Sequence, residues 1–559
     1  MLSSPTSTLT LERGKACLRC RRRKMRCDGG KPVCTQCIKA EIAVDCEYSD
    51  GGPTTSQILE RNIAELEARI NEILKGPPSD SVSLQKPYES SRKSKSPKTP
   101  KARTKMEDLL PTPPPPSPGL SPVTPQSPGQ TSIPKSPHSL PWPDSTETDL
   151  PLETFFAVAP HLGFFFHVPR FSERLQASMP PSPTSPVPPA LVFAVILVGC
   201  VFTGSADRKF LEPQLLALAL QSLSNNLCPD KIMYTLQAEV LIALYLLHQN
   251  RRLAASYHVS AAVSIAVACN LHKIRSAGSF VDAQAAIVLP PPADEIEEGE
   301  RIRAFWTVYI LDRGWTLWTH SSSAMLDEST LRTRIDTPWP LEMHNYEQLP
   351  MLTAPSSAQT VQLFLKYAGT ASEAGQSILT LRVKASIFLD KTARLCVTND
   401  YATLRALNAR MQAWALVLPQ LSSVPAARPE LARGLLTVRT MCACANILTH
   451  SVLPSPGGAC GPLNDSVAAA ALEAASLLSQ VDLSTLQFVD IVCGILWGIV
   501  GKTLAALLSG LGQGWTTSHD PMLIVASLDM VMSTLQLFGA KCPLIQWELT
   551  RLQDRLATE

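Results

Sequence analysis

Net charge is almost absent from this chain, whose 559 residues carry a formal +2. A uniformly basic nucleic-acid binder is therefore excluded as a description of the whole, and any electrostatic function must be local. Membrane-length apolar runs are missing too. The longest, Ala190 to Phe202 and Ile491 to Val500, fall well short of the ~20 residues a span needs, so they read as buried helices and no membrane partner is expected. The opening Met1-Leu2-Ser3-Ser4 lacks the apolar core of a secretory signal. An intracellular, reducing compartment is expected, in which clustered cysteines are read first as metal ligands.

Catalytic constellations are also wanting, and no enzyme is expected. Gly501-Lys502-Thr503 looks like the end of a phosphate-binding loop, but Leu496 stands where the leading glycine is required and the segment reads as an apolar helix. Gly510-Leu511-Gly512-Gln513-Gly514 reads as a loop with no strand before it. On a helix Cys442 and Cys444 point in different directions, and His258 and His272 lack metal-ligating neighbours in sequence. Cys200, Cys269 and Cys493 sit singly in apolar stretches, where core packing is expected.

What charge there is gathers near the start. Arg13, Lys15, Arg19, Arg21, Arg22, Arg23, Lys24, Arg26, Lys31 and Lys39 face a single acid, Asp28. Within this stretch Cys17, Cys20, Cys27, Cys34, Cys37 and Cys46 form C-x2-C-x6-C-x6-C-x2-C-x8-C, two halves that each contain a C-x-x-C pair. Zinc takes thiolates tetrahedrally, and the two-residue gap lets both sulfurs of a pair reach one ion. Six sulfurs complete two tetrahedra only if two of them are shared, so the spacing predicts a binuclear cluster with two Zn2+ ions per chain. Such a cluster also staples a fold too small for its own core. Stapling alone leaves the unbroken run Arg21 to Lys24 unexplained, since a short helix would project these like charges together; contact with double-stranded DNA explains it.

The segment Ala16 to Cys27, with Asp28, Lys31-Pro32 and the Cys37-to-Cys46 spacing, resembles the fungal binuclear zinc-cluster family. The resemblance implies that Cys17 and Cys34 bridge the metals and that the first helix enters the major groove. It further implies that Lys24 and Arg23 read a CGG triplet, while Arg21, Arg22 and Arg26 grip phosphate, which supplies affinity and salt dependence but little sequence information.

Behind the cluster, Leu59, Ile63, Leu66, Ile70 and Ile73 recur at alternating steps of four and three, a heptad seam bounded by Thr54-Thr55-Ser56 and Gly76-Pro77-Pro78. It predicts a short coiled coil that pairs two chains into a homodimer, with an amphipathic helix lying on the rest of the chain as the alternative. A Pro-, Ser- and Lys-rich tether follows. Its basic run from Arg92 to Lys105 reads as a nuclear localisation signal, an extra phosphate grip or a solvated linker. Ser96, Thr99, Thr112, Ser117, Ser121, Thr124, Ser127 and Ser136 each precede proline, so proline-directed kinases are candidate partners beside the transcription machinery.

From about Pro151 onward, helical periodicity and proline-bearing loops predict an all-α domain. Leu236 to Tyr245, Tyr257 to Lys273, Arg301 to Arg313 and Phe538 to Leu544 resemble the regulatory domain that follows zinc clusters in the same family. Where the family shows a Gly-Arg-Pro turn, this chain has Thr319-His320-Ser321-Ser322-Ser323. Asp312 and Arg313 read as a structural ion pair, and Asp294 to Glu298 as a solvated loop before a helix. The organisation expected is therefore mainly α: a disordered 1–12, a zinc module over 13–48, a linker over 49–57, a coiled coil over 58–75, a disordered 76–150 and a helical regulatory domain over 151–559. The function expected is nuclear, zinc-dependent transcription regulation. A zinc-stapled adaptor that binds RNA or an acidic protein is the competing reading.

Overall fold

The computed structural model describes residues 16–31, 33–40, 46, 48, 61 and 64, and then 145–558 apart from 205–208, 224–228, 277–286, 320–324, 326–332, 349–357, 370–374, 399 and 454–463. The chain forms two compact units, residues 1–131 and 132–559. Helices and turns build both, with no sheet strand among the described residues, as the mainly-α reading expects. The proposed seam residues Leu59, Ile63, Leu66, Ile70 and Ile73, the basic tether and its Ser-Pro and Thr-Pro sites lie outside the described residues.

The first unit holds α1 (Leu18–Arg22) and α2 (Thr35–Lys39). The second opens with α3 (Ser145–Val158), ahead of residue 151, and α4 (Val168–Gln176). Next come α5 (Pro189–Thr203), α6 (Glu212–Leu223), α7 (Ile232–His248) and α8 (Arg252–Ala268). The central helix α9 (Glu295–Thr319) is followed by α10 (Met343–Gln348), α11 (Thr360–Tyr367), α12 (Ile378–Thr398), α13 (Tyr401–Leu416) and α14 (Pro429–Val452). A final group comprises α15 (Asp465–Ser479), α16 (Ile491–Gly512), α17 (Pro521–Gly539) and α18 (Pro543–Thr558).

The apolar run Ala190 to Phe202 becomes α5, with prolines at its start, Gly204 left-handed at its end, and burial from Ala190 through Cys200. Such a helix has no solvent face to make polar. Helices α3, α6 and α7 cover it. Beside it, Phe155, Phe164, Phe166 and Phe171 pack edge-on and stacked with ring centroids 4.9 to 5.9 Å apart. Between α7 and α8, His258 Nδ1 lies 2.6 Å from Glu239 Oε2, a buried pair that places His258 in the core.

Asp294 to Glu298 is not a solvated loop. Asp294 caps α9, accepting from the Glu297 N–H at 2.9 Å, and binds Arg170 at 2.7 Å. Glu297 pairs with Arg301 one turn on, and Glu298 with Arg275, so the acidic run lies at a helix start where negative charge is favoured. Arg313 also differs from expectation. Its ion-pair partner is Asp390 of α12 at 3.0 Å, because adjacent residues on a helix point roughly 100° apart. The stretch ending in Asn270 to Lys273 serves a buried carboxylate. Asp336 takes Lys273, Arg334, Ser276 and the Gln359 N–H, and these partners outweigh burial to hold it down at about 2.

Two further corrections concern α16. The apolar run ending at Val500 continues as helix past Lys502 to Gly512, so Gly510 and Gly512 are helical. By length and composition alone, α14, α16 and α17 are long and apolar enough to cross a membrane, contrary to the run-length argument. The most apolar stretches of α14, α16 and α17 are 67%, 61% and 44% buried inside the protein. A methyl group on Gly494, Gly498 or Gly501 would meet Ile545, Glu548 or Leu552 of α18 at 2.8, 2.7 or 2.6 Å. Glycine at these positions leaves room for those α18 side chains, which a larger residue would force to shift. Lys502 pairs with Glu548 at 2.8 Å, which gives the phosphate-loop look-alike a structural role.

One buried acid links this fold to pH. Burial pushes the Glu300 carboxyl up to about 7, against the pull of the His167 N–H that it accepts at 2.8 Å. The contribution of a carboxyl raised in the folded state is present below its unfolded pKa and lost as pH rises through the folded one. Glu300→Gln keeps an acceptor for His167. We expect the variant to gain up to roughly 3 kcal/mol on the natural protein between about pH 4.5 and 8, read by urea unfolding. An unchanged difference across that window would contradict the assignment.

Candidate metal centre and nucleic-acid interface

The core of the first unit is sulfur. Cys17, Cys20, Cys34 and Cys37 are buried, with Cys27, Val33, Cys46 and Tyr48 packed against them. So little apolar area cannot hold a chain in place, which is the situation in which a metal supplies the folding free energy.

Each C-x-x-C pair lies across the start of a short helix. Cys17 precedes α1, its sulfur accepting from the Cys20 N–H at 3.4 Å, and Cys34 precedes α2. The six cysteines predicted from spacing come together as two groups, Cys17-Cys20-Cys27-Cys34 and Cys17-Cys34-Cys37-Cys46. Within each group all sulfurs lie within 4.8 Å of one another, and the groups share Cys17 and Cys34. Zn–S bonds of about 2.3 Å around a tetrahedron give S···S edges of about 3.8 Å. The separations Cys17–Cys34, Cys20–Cys34 and Cys17–Cys37 are 3.7, 3.7 and 3.9 Å, so the donor set fits zinc and is far too open for disulfides.

Electrostatics make the same demand. Burial pushes the Cys17 thiol up to about 12 and raises Cys34 further, so these two sulfurs become thiolates only beside a compensating cation. At Cys37 burial also raises, but hydrogen bonds led by Arg19 outweigh it and bring the thiol to about 7. Arg19 Nη1 donates to Cys37 Sγ at 3.6 Å. Sequence reading left Arg19 as one more basic residue; nothing in the composition says that it turns inward.

Asp28 accepts from the Thr35 backbone N–H at 3.0 Å and from its hydroxyl, tying the loop after Cys27 to the first turn of α2. The Thr35 hydroxyl, chief among these contacts, holds the Asp28 carboxyl below its usual value. Tyr48, also missed, donates to the Gly30 carbonyl at 2.9 Å while Lys31 lies 5.6 Å from its ring centroid.

Arg21, Arg23, Lys24 and Arg26 are exposed, and the Arg22 side chain lies outside the described residues. Only Arg21 and Arg22 of this run are on α1, which stops with Arg23 as its cap. Lys24 is left-handed, with φ 53°. Its N–H bonds to the Arg21 carbonyl at 3.2 Å and that of Met25 to Cys20 at 2.9 Å, the pattern by which a helix closes on a residue that is usually glycine. A lysine here carries strain that glycine would not, and strain of this kind gathers at functional sites.

A small sulfur-cored unit followed by a large helical unit marks a modular protein. Residues 15–53 match the family described as the fungal Zn(2)-Cys(6) binuclear cluster domain, and residues 152–393 the fungal specific transcription factor domain. The chain belongs to the fungal binuclear zinc-cluster transcription factor family, with a fungal-specific regulatory domain behind the cluster. Among relatives, Transcription factor FBD3 of Fusarium pseudograminearum is 40% identical over 74 residues, 11% of this chain and 10% of that one. Citrinin biosynthesis transcriptional activator mrl3 of Monascus ruber is 36% identical over 72 residues, 12% and 14% of the two chains. Regulatory protein CAT8 of Saccharomyces cerevisiae is 39% identical over 79 residues, 13% and 5%. These alignments thus cover between 5% and 14% of the relatives' own length. No solved structure matches the chain.

Relief of the strain at Lys24 is measurable. Lys24→Gly is expected to retain zinc against a colorimetric chelator as well as or better than the natural protein, by up to about 1 kcal/mol. Lys24→Val, β-branched in a left-handed position, should release zinc sooner. The reverse order would show that the turn carries no strain.

Proposed function

We propose that this protein is a nuclear, zinc-dependent transcription regulator that binds CGG-type DNA half-sites as a homodimer, with two Zn2+ ions held by Cys17, Cys20, Cys27, Cys34, Cys37 and Cys46. The observation that carries the reading is the pair of four-sulfur groups sharing Cys17 and Cys34, beside which Arg21, Arg23, Lys24 and Arg26 are exposed. In the bound cluster, zinc acts structurally by fixing the path of the chain. Six thiolates carry more negative charge than two zinc ions neutralise, and the inward Arg19 offsets part of the excess.

Lys24 and Arg23 read base edges in the major groove, while Arg21, Arg22 and Arg26 contact phosphate. The turn at Lys24 is what frees that side chain from the helix surface. One module covers few base pairs, so a useful site needs two, and the seam from Leu59 to Ile73 pairs the chains. Phosphorylation of the Ser-Pro and Thr-Pro sites by proline-directed kinases would lower the tether's attraction for DNA.

Selection of random duplex DNA by the full chain tests the reading, with zinc present and after chelation, at physiological salt. Paired CGG triplets should be enriched, and the enrichment should vanish on chelation. Lys24→Ala is expected to lose base preference while keeping its zinc. Arg26→Ala should weaken binding to all sequences alike and lower the salt slope by about one. A single enriched triplet would remove the dimer and keep the DNA reading. Salt-sensitive binding with no enriched sequence would replace the proposal with the zinc-stapled adaptor.

A further inference from the structure

Helix α8 hides one face and leaves another bare. Ala255, Val259, Ala262, Val263 and Ala266 are buried, and the helix packs against α7 and α9. On its other side Leu253, Tyr257, Ser260, Ser264 and Val267 are exposed, at alternating steps of four and three residues. That spacing aligns them in one stripe about 21 Å long. Leu253 is 86%, Tyr257 70% and Val267 44% exposed, together about two whole large side chains left in water.

A surface helix ordinarily answers water with charge on its outer face. This one does not: from Leu253 to Ala268 there is no Asp, Glu, Lys or Arg, in a chain of which 18% is charged. His258 is buried and paired with Glu239. Two serines also turn their polarity inward. Ser264 Oγ donates to the Ser260 carbonyl at 2.8 Å, and Ser256 Oγ, beside the stripe, to the Leu253 carbonyl at 2.9 Å. The half-buried flanking residues Ala254, Ala261 and Ala268 are small, so nothing bulky holds a second helix away.

A stripe without charge offers nothing to an ionic partner, but its spacing matches itself. Laid antiparallel about a two-fold axis level with Ala262, Tyr257 falls opposite Val267 of the second copy and Ser260 opposite Ser264, each contact occurring twice. The tyrosine ring covers the valine, and tyrosine is a common anchor of protein interfaces. The area sets the strength. Two large side chains' worth of exposure at ~200 Å² each gives roughly 800 Å² from two copies, short of the ~1,200–2,000 Å² of a stable interface. Such a contact needs a second one between the same chains. The seam from Leu59 to Ile73 has the converse shortage, since a helix of that length is marginal by itself. Two weak contacts joining the same pair reinforce each other, because forming either raises the effective concentration for the other.

We propose that α8 is a second homodimer contact, its stripe from Leu253 to Val267 packing antiparallel on the same stripe of another copy of this chain. The inference rests on the homodimer reading above and gives it a surface in the second unit.

The test measures the dimer dissociation constant of the full chain by sedimentation velocity. Tyr257→Glu and Val267→Lys, both at exposed positions, should each weaken the dimer at least about tenfold, and the double variant should regain the natural affinity by pairing Glu with Lys across the two-fold. Within one chain these positions lie about 15 Å apart along the helix, so recovery reports contact between copies. A parallel pairing would set like charges together and give no recovery, and neither would loss of folding in the single variants. A dimer unchanged by Tyr257→Glu, or a double variant no tighter than the singles, would overturn the α8 contact and leave the seam standing. A natural chain that stays monomeric at micromolar concentration would overturn both the contact and the homodimer reading. Pelleting of that monomer with phosphatidylcholine vesicles, lost in Tyr257→Glu, would assign the stripe to a membrane surface instead.

Discussion

Everything in the N-terminal unit depends on two sulfurs counted twice. With Cys17 and Cys34 shared, six cysteines satisfy two four-sulfur groups, and the chain needs no further ligand from a segment too short to supply one. Sharing also fixes the halves relative to each other, since each bridging cysteine sits at the start of a helix. Asp28 and Tyr48 brace the loops between those helices, and Arg19 answers the sulfur charge from within. Arg21 on α1, and Arg23, Lys24 and Arg26 in and after its closing turn, are left exposed.

The second unit solves the opposite problem. It has apolar helices in excess and hides them against one another, using glycines on α16 to bring α18 close and single buried ion pairs to fix register. Against that background a cavity beside α9 stands out. A domain that buries this much apolar surface nevertheless leaves space open beside Gly314.

Much of this was legible in the residues. Metal chemistry is local in sequence, so the cysteine spacing picked out the six sulfurs that the structure groups, and helical periodicity pointed to a helical second unit. Other features depend on distant partners and leave no local signal. That Arg19 turns inward while Arg21 and Arg23 do not depends on where Cys37 arrives, and that Lys24 is left-handed contradicts its residue type. The apolar run of α16 ends at Val500 because Gly501 and Lys502 follow it, and the partner of Lys502, Glu548, lies on another helix. The acidic start of α9 looked like a solvated loop for the same reason, its arginine partners Arg170 and Arg275 being remote in sequence.

Sulfur sharing is most directly tested by counting zinc in the full chain by native mass spectrometry, in the natural protein and in Cys17→Ala and Cys20→Ala. The shared-sulfur arrangement predicts two zinc ions per chain, loss of both when the bridging Cys17 is removed, and retention of one when the terminal Cys20 is removed. One zinc in the natural protein, or the same loss from both variants, would contradict it.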